Sequence, residues 1–171
     1  MDDSLDGINK QLDEAYSLAA DRKDYIGALS ACEAIIQSHP ELTAPLRKKA
    51  QIYAHKADFR QAIDEMSGVI QKGPAEPGDY FFRGWWNLED DNASDAIEDL
   101  TEAIELGEQL GDDYFTESAH FFRAAASLRL GRYPDALADC QHVSDDLLIY
   151  LRSGQISKLQ IVTEAISNGP T

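Results

Sequence analysis

The sequence predicts an all-α solenoid of stacked helix pairs, and three observations carry that reading. Four alanines, Ala28, Ala62, Ala96 and Ala136, recur at separations of 34, 34 and 40 residues. Each opens a similar amphipathic stretch: DYIGALSACEAII, DFRQAIDEMSGVI, NASDAIEDLTEAI and RYPDALADCQHVS. A fixed period near 34 marks helical units that bury a common core by stacking, because one pair cannot bury its apolar face alone. The third observation is composition. At 171 residues, 43% hydrophobic and 27% charged, the chain fits a single domain, 1–171, with a sizeable core.

The repeats are expected at about 9–42, 43–76, 77–116 and 117–148, with a cap over 145–168. In the first, Asp24-Tyr25 forms the turn, Ala28 and Ile35 face the core, and Pro40 closes the unit, since proline cannot continue a helix. The second reads Leu46, Ala50 and Tyr53, then Asp58-Phe59, Ala62 and Pro74. The third has Tyr80, Gly84, Ala96, Ala103 and Ile104, with Ala93 where the turn aromatic stood before. The fourth has Ala124, Gly131, Tyr133 and Ala136. Ala50, Gly84 and Ala124 let paired helices approach closely, and Gly131 suits a left-handed turn. The 40-residue interval predicts a longer second helix in the third repeat, stopped at Gly111-Asp112-Asp113. Beyond the fourth repeat the pattern lapses. Leu147, Leu148, Ile149, Leu151, Ile156, Leu159, Ile161, Val162 and Ile166 are expected to form capping helices, split at Gly154, with Ser157 as the last N-cap.

These residues resemble the tetratricopeptide repeat (TPR) family over roughly residues 9–148, in particular its short stand-alone bacterial members. The resemblance implies a right-handed superhelical solenoid of four TPR helix pairs plus C-terminal capping helices. It also implies a concave groove along the first helices, where partner peptides lie. The corresponding positions are Arg47, Gln51 and His55; Phe81, Trp85 and Glu89; and Phe121, Ala125 and Arg129. Large aromatics there would be anchors, or they would pack against neighbouring helices. The subclass that grips a C-terminal carboxylate uses positions filled here by Asp13, Ser17, Lys48, Gly78 and Phe82, of which only Lys48 is basic. A chaperone-tail adaptor of that kind is therefore not expected.

Charge is uneven. Of a net −16, residues 77–116 contribute twelve acids against one base, whereas 43–76 carry four acids and six bases. Such a field repels nucleic acid and anionic membranes and attracts a basic protein, unless it serves only solubility. Glu105, Glu108, Asp112 and Asp113 form the expected acidic corner. Lys49, Arg83 and Arg123 share one column of the first helices, and Glu65, Asp99 and Asp139 share one column of the second. The first repeat has Ala15 and Ala31 in those columns, so base and acid come and go together, which predicts an ion pair within each of three repeats.

Chemistry is not expected. His39, His55, His120 and His142 are scattered without metal-ligand spacing. The segment 90–95 lacks the glycine of a calcium loop, and Thr101 stands where its glutamate belongs. Cys32 and Cys140 each follow a repeat alanine by four residues and are read as buried thiols. No apolar run approaches the ~20 residues of a membrane span, and the start MDDSLDGINK lacks an apolar signal segment, so a cytoplasmic location is expected. The functional expectation is a non-enzymatic interaction module without cofactor or metal that binds a basic protein. Its most specific form is an immunity or antidote protein neutralising a toxin. The alternative is a TPR adaptor or co-chaperone holding an extended peptide in the groove.

Overall fold

The computed structural model describes residues 4–169. The chain divides between Ala75 and Glu76 into two compact units. The first holds α1 (Leu5–Arg22), α2 (Tyr25–Ser38), α3 (Ala44–His55) and α4 (Phe59–Lys72). The second holds α5 (Pro77–Glu89), α6 (Ala93–Leu110), α7 (Thr116–Arg129) and α8 (Tyr133–Cys140), followed by β1 (Leu148–Leu151), β2 (Gly154–Ser157) and α9 (Lys158–Asn168). Within each unit consecutive helices pack as antiparallel neighbours, and the second pair stacks on the first. No helix among the described residues is long and apolar enough to cross a membrane.

The repeat alanines sit where the helices meet. Ala28, Ala62, Ala96 and Ala136 are all fully buried, as are Ala50 and Ala124. Gly84 shows why these positions are small. A Cβ there would lie 2.8 Å from Cγ of Leu100 and 3.2 Å from the Ala96 carbonyl, so a larger residue would force α5 and α6 apart. Cys32, Met66, Leu100 and Cys140, one turn further on, are likewise buried, and both cysteines are free thiols.

The four turns within the pairs share one backbone solution. Lys23, Ala57, Asp91 and Gly131 all have positive φ, at 56°, 62°, 63° and 69°. The residue after each donates its amide back across the helix end, to the carbonyls of Leu18, Tyr53, Asn87 and Ser127. Only the fourth turn uses glycine, the residue that adopts this conformation without steric cost.

As expected, α6 is long, with 18 residues, and Gly111 caps it at φ 68°. The first helix starts at Leu5, ahead of residue 9, with the Ser4 hydroxyl accepting the Gly7 amide. The fourth repeat's second helix stops early, at Cys140. The cap also differs from the expected set of helices. It is an antiparallel hairpin plus one helix, with Leu148 paired to Ser157 and Leu151 to Gly154. The segment LIYL alternates, burying Ile149 and Leu151 and exposing Leu148 and Tyr150, which is the period of a strand and not of a helix. Ser157 does cap α9, and its hydroxyl and the Gln160 side chain close a reciprocal capping box. Ile161 and Ala165 of α9 are buried, whereas Leu159 and Ile166 point to solvent.

Candidate functional site

The run YFFRGWW gives α5 more aromatic surface than one face can hold. Phe81 stacks on Phe115 at 4.8 Å between ring centroids and meets Phe122 edge-on at 5.6 Å. Trp85 lies 5.5 Å from Phe122, and Phe82 stacks on Trp86 at 5.8 Å. Phe81 and Phe121, expected as groove anchors, are therefore corrected to core residues: Phe121 has 0% exposure. Burying such rings contributes more than a single groove contact could return, so the second unit absorbs them. Trp85 remains half-buried.

Two polar groove positions in the second unit are engaged within the chain. A carboxylate oxygen of Glu89 accepts the backbone amide of Arg152 at 3.0 Å, pinning the hairpin turn to the end of α5. Its other oxygen lies 3.4 Å from the Trp85 indole nitrogen, which donates to it. Arg129 donates to the Leu88 carbonyl at 2.6 Å and reaches Asp91 at 3.4 Å, tying the end of α7 to the α5–α6 turn. Apart from Trp85, these partners lie 38 to 63 residues away in sequence, beyond the reach of any local pattern.

In the first unit the expected positions line an open groove between α1 and α3. A cavity of about 410 Å³ has Asn9 and Asp13 on one wall and Arg47, Lys48 and Gln51 on the other. Lys48 donates to Asp13 at 3.0 Å and sits 5.2 Å from the centre of the Tyr16 ring. Arg47 donates to the Thr43 hydroxyl at 3.2 Å. His55 is exposed at the end of α3, with its Nδ1 3.3 Å from the Tyr25 hydroxyl.

The acidic corner is a built feature. The Asp112 amide donates to the Gly107 carbonyl at 2.9 Å, and a Cβ on Gly107 would lie 2.7 Å from the Asp112 carbonyl oxygen. Glycine at 107 thus allows the chain to fold tightly back over the end of α6. Glu105, Glu108, Asp112 and Asp113 are all exposed. Two apolar side chains in the same stretch of sequence, neither of them expected as a binding residue, are exposed as well, Leu110 at 63% and Tyr114 at 81%. Tyr114 rests edge-on against Phe115 at 4.8 Å, so the aromatic core braces it.

The three expected ion pairs all form: Lys49 with Glu65 at 2.8 Å, Arg83 with Asp99 at 2.5 Å, and Arg123 with Asp139 at 2.7 Å. Each is embedded in more polar contacts. Glu33 also accepts from Lys49, Asn87 donates to Asp99, and His120 Nδ1 lies 2.8 Å from Asp139. Burial works against the charge on Lys49, but bonds to Glu65 and Glu33 outweigh it and raise its pKa; Asp99 does the same for Arg83. These charges hold helix pairs together and are not free for a ligand. His120 and His142, distant in sequence, stack at 4.3 Å. Among the described residues no group of three or more His, Cys, Asp or Glu side chains could hold a metal ion.

No protein-family model matches the chain, and no curated protein matches it. Solved structures do resemble it. MamA superposes with a TM-score of 0.67 at 17% identity, over 81% of this chain and 72% of that one. YrrB, a TPR protein described with an unusual peptide-binding site, gives 0.64 at 14% identity over 91% and 83%. The TPR2B domain of yeast Sti1, solved in complex with pHsp70, gives 0.61 at 19% identity over 70% and 98%. The chain is an all-α protein with the tetratricopeptide repeat fold.

Proposed function

We propose that this protein is a non-enzymatic interaction module that binds a basic protein through the corner between α6 and α7. The observation that carries this reading is the exposure of four carboxylates, Glu105, Glu108, Asp112 and Asp113, together with Leu110 and Tyr114, along the end of α6 and the turn that follows it. The charges speed encounter with a cation, and the braced tyrosine and the leucine give it apolar surface to bury. In its most specific form the partner is a toxin, and the protein is the antidote that covers it. Reversing the charge of Glu105, Glu108, Asp112 and Asp113 is expected to slow association with the partner captured from the source cell, most of all at low salt. An association rate that ignores both charge and salt would remove the reading. Co-expression protecting cells from that partner would establish the antidote form.

A second reading has an extended peptide in the α1–α3 groove of the first unit, as in an adaptor. The open cavity with Arg47, Lys48 and Gln51 on one wall favours it. Substituting Arg47, Gln51 and His55 would then weaken binding, while the acidic corner could be changed freely.

A further inference from the structure

The α1–α3 groove of the first unit holds a cation that is fixed and an anion that is not. Lys48 Nζ lies 3.0 Å from a carboxylate oxygen of Asp13, yet the two side chains differ in setting: Lys48 is 20% exposed and Asp13 78%. The ammonium also sits over the Tyr16 ring, 5.2 Å from its centre, and that ring is braced edge-on against His55 at 6.1 Å. A cation–π contact gains strength where water is excluded, so the ring keeps Lys48 in place whether or not Asp13 stays. Among the described residues the Asp13 carboxylate has Lys48 as its one hydrogen-bond partner. An ion pair with one member in water contributes little to the fold, so that carboxylate is exchangeable.

The rest of the cavity suits a carboxylate carried on an extended chain. Of the described residues that line it, Arg47 and Lys48 are cations and Asp13 is the single acid. With Asp13 turned away, the walls carry two positive charges in a chain of net −16. Arg47 stands beside Lys48 in sequence, and a guanidinium has five N–H donors, more than its bond to Thr43 uses. Asn9 and Gln51 line opposite walls, and a side-chain amide can both donate to and accept from an extended backbone.

We infer that an acidic, extended segment of a partner protein occupies this groove and places one side-chain carboxylate on Lys48, displacing Asp13. Asp13 is thus a built-in competitor, which fills the site of the cation in the free protein. A neutral segment gains nothing at Lys48 to offset the lost pair. A basic segment would meet Arg47 and Lys48 with no free acid on either wall to answer it. This occupancy rests on the extended-peptide reading of the groove and involves no residue of the acidic corner.

The test is fluorescence anisotropy of the full chain with three labelled ten-residue probes. The first alternates glutamate with alanine and is blocked at both ends, so its only charges are side-chain carboxylates. The second replaces glutamate by glutamine and is blocked likewise. The third is the glutamine peptide with its C-terminal carboxylate free. The glutamate probe is expected to bind about tenfold more tightly than either of the others. Asp13→Asn should tighten its binding about threefold, because Lys48 no longer has to be released. Lys48→Gln should weaken it about tenfold and abolish the gain from Asp13→Asn. Both changes nearly keep side-chain size, so far-ultraviolet circular dichroism should match the parent. An Asp13→Asn variant that binds the glutamate probe no more tightly than the parent would overturn the proposal. Equal binding of the two blocked probes would overturn it too, and would leave a peptide groove indifferent to charge. So would binding of the third probe alone, which would make the site a grip for a chain terminus. If no probe binds the parent or Asp13→Asn at millimolar concentration, the acidic occupant is ruled out. The peptide reading is then judged separately, by whether substituting Arg47, Gln51 and His55 weakens binding of the partner captured from the source cell.

Discussion

The Arg123 guanidinium on α7 grips the Asp139 carboxylate on α8, with its Nη2 2.7 Å from Oδ1 and its Nε 3.0 Å from Oδ2. This fork holds together the two helices of the fourth repeat, and its carboxylate is almost fully buried. Removing Arg123 would leave that charge with His120 as its remaining side-chain donor. Arg123→Ala is therefore expected to cost about 3 kcal/mol, toward the lower end for a broken buried pair because the arginine is partly exposed. A double-mutant cycle with Asp139→Ala, read by urea unfolding, should show coupling of at least ~1 kcal/mol. Additive effects would show that the pair does not hold the helices.

The same carboxylate predicts a pH dependence. Burial opposes its ionisation, but hydrogen bonds from His120 and Arg123 outweigh burial and hold its pKa below the ordinary aspartate value. A depressed folded-state pKa gives stability that is present above the unfolded value, near 3.9, and is lost as pH falls through the lower folded value. Acid unfolding of Asp139→Asn should accordingly be shallower than that of the parent below about pH 4. Equal acid sensitivity would place the titration elsewhere.

The four left-handed turns form an internal control. Ala57 and Gly131 hold nearly the same φ, 62° and 69°. Gly131→Ala should destabilise by about 1 kcal/mol, since an L side chain pays ~1–2 there and recovers some of it from lower unfolded-state entropy. Ala57→Gly should stabilise by about 0.5 kcal/mol for the mirrored reason. Thermal melts of the two variants moving in the same direction would contradict the shared turn geometry.

Gly84→Ala tests helix approach in the third repeat. The added methyl would meet Leu100, Asp99 and the Ala96 carbonyl within 3.2 Å. The expected cost is ~1–3 kcal/mol, in keeping with overpacking. Gly68, also helical, has open space at its Cβ. Gly68→Ala should be stabilising by up to about 1 kcal/mol, which gives the matched comparison.

Cys32 should be silent to thiol reagents in the folded protein. Burial pushes its pKa up to about 11, against a smaller pull from Lys48 and Lys49, and burial raises that of Cys140 as well. Labelling should follow unfolding, with a rate that rises with denaturant. Fast labelling of Cys32 under native conditions would mean that the α1–α2 pair opens locally.

Much of the architecture can be read along the chain, because each repeat repeats its own local rules. The alanines at a period of 34, the long α6 with its Gly111 stop, the Ser157 cap and the three ion pairs all depend on residues within about one repeat, at helical spacing. The candidate surfaces are less legible. The positions Phe81 and Phe121 have the right spacing for a groove, yet Phe115 and Phe122 close over Phe81, and Phe121 is wholly buried. Glu89 and Arg129 look available until the hairpin turn and the α5–α6 turn bring up their partners. Strand alternation in LIYL was present but hidden in a segment rich in apolar residues.

Helix, turn and repeat came from the order of residues, since those features rest on neighbours a few positions apart. Which aromatic faces water, which carboxylate is already bonded, and the bracing of Tyr114 in its acidic setting depended on packing. Those outcomes turn on groups more than 30 residues away, as Phe115 is from Phe81 and Arg152 from Glu89, competing for the same space and the same hydrogen bonds, and a linear pattern does not record that competition.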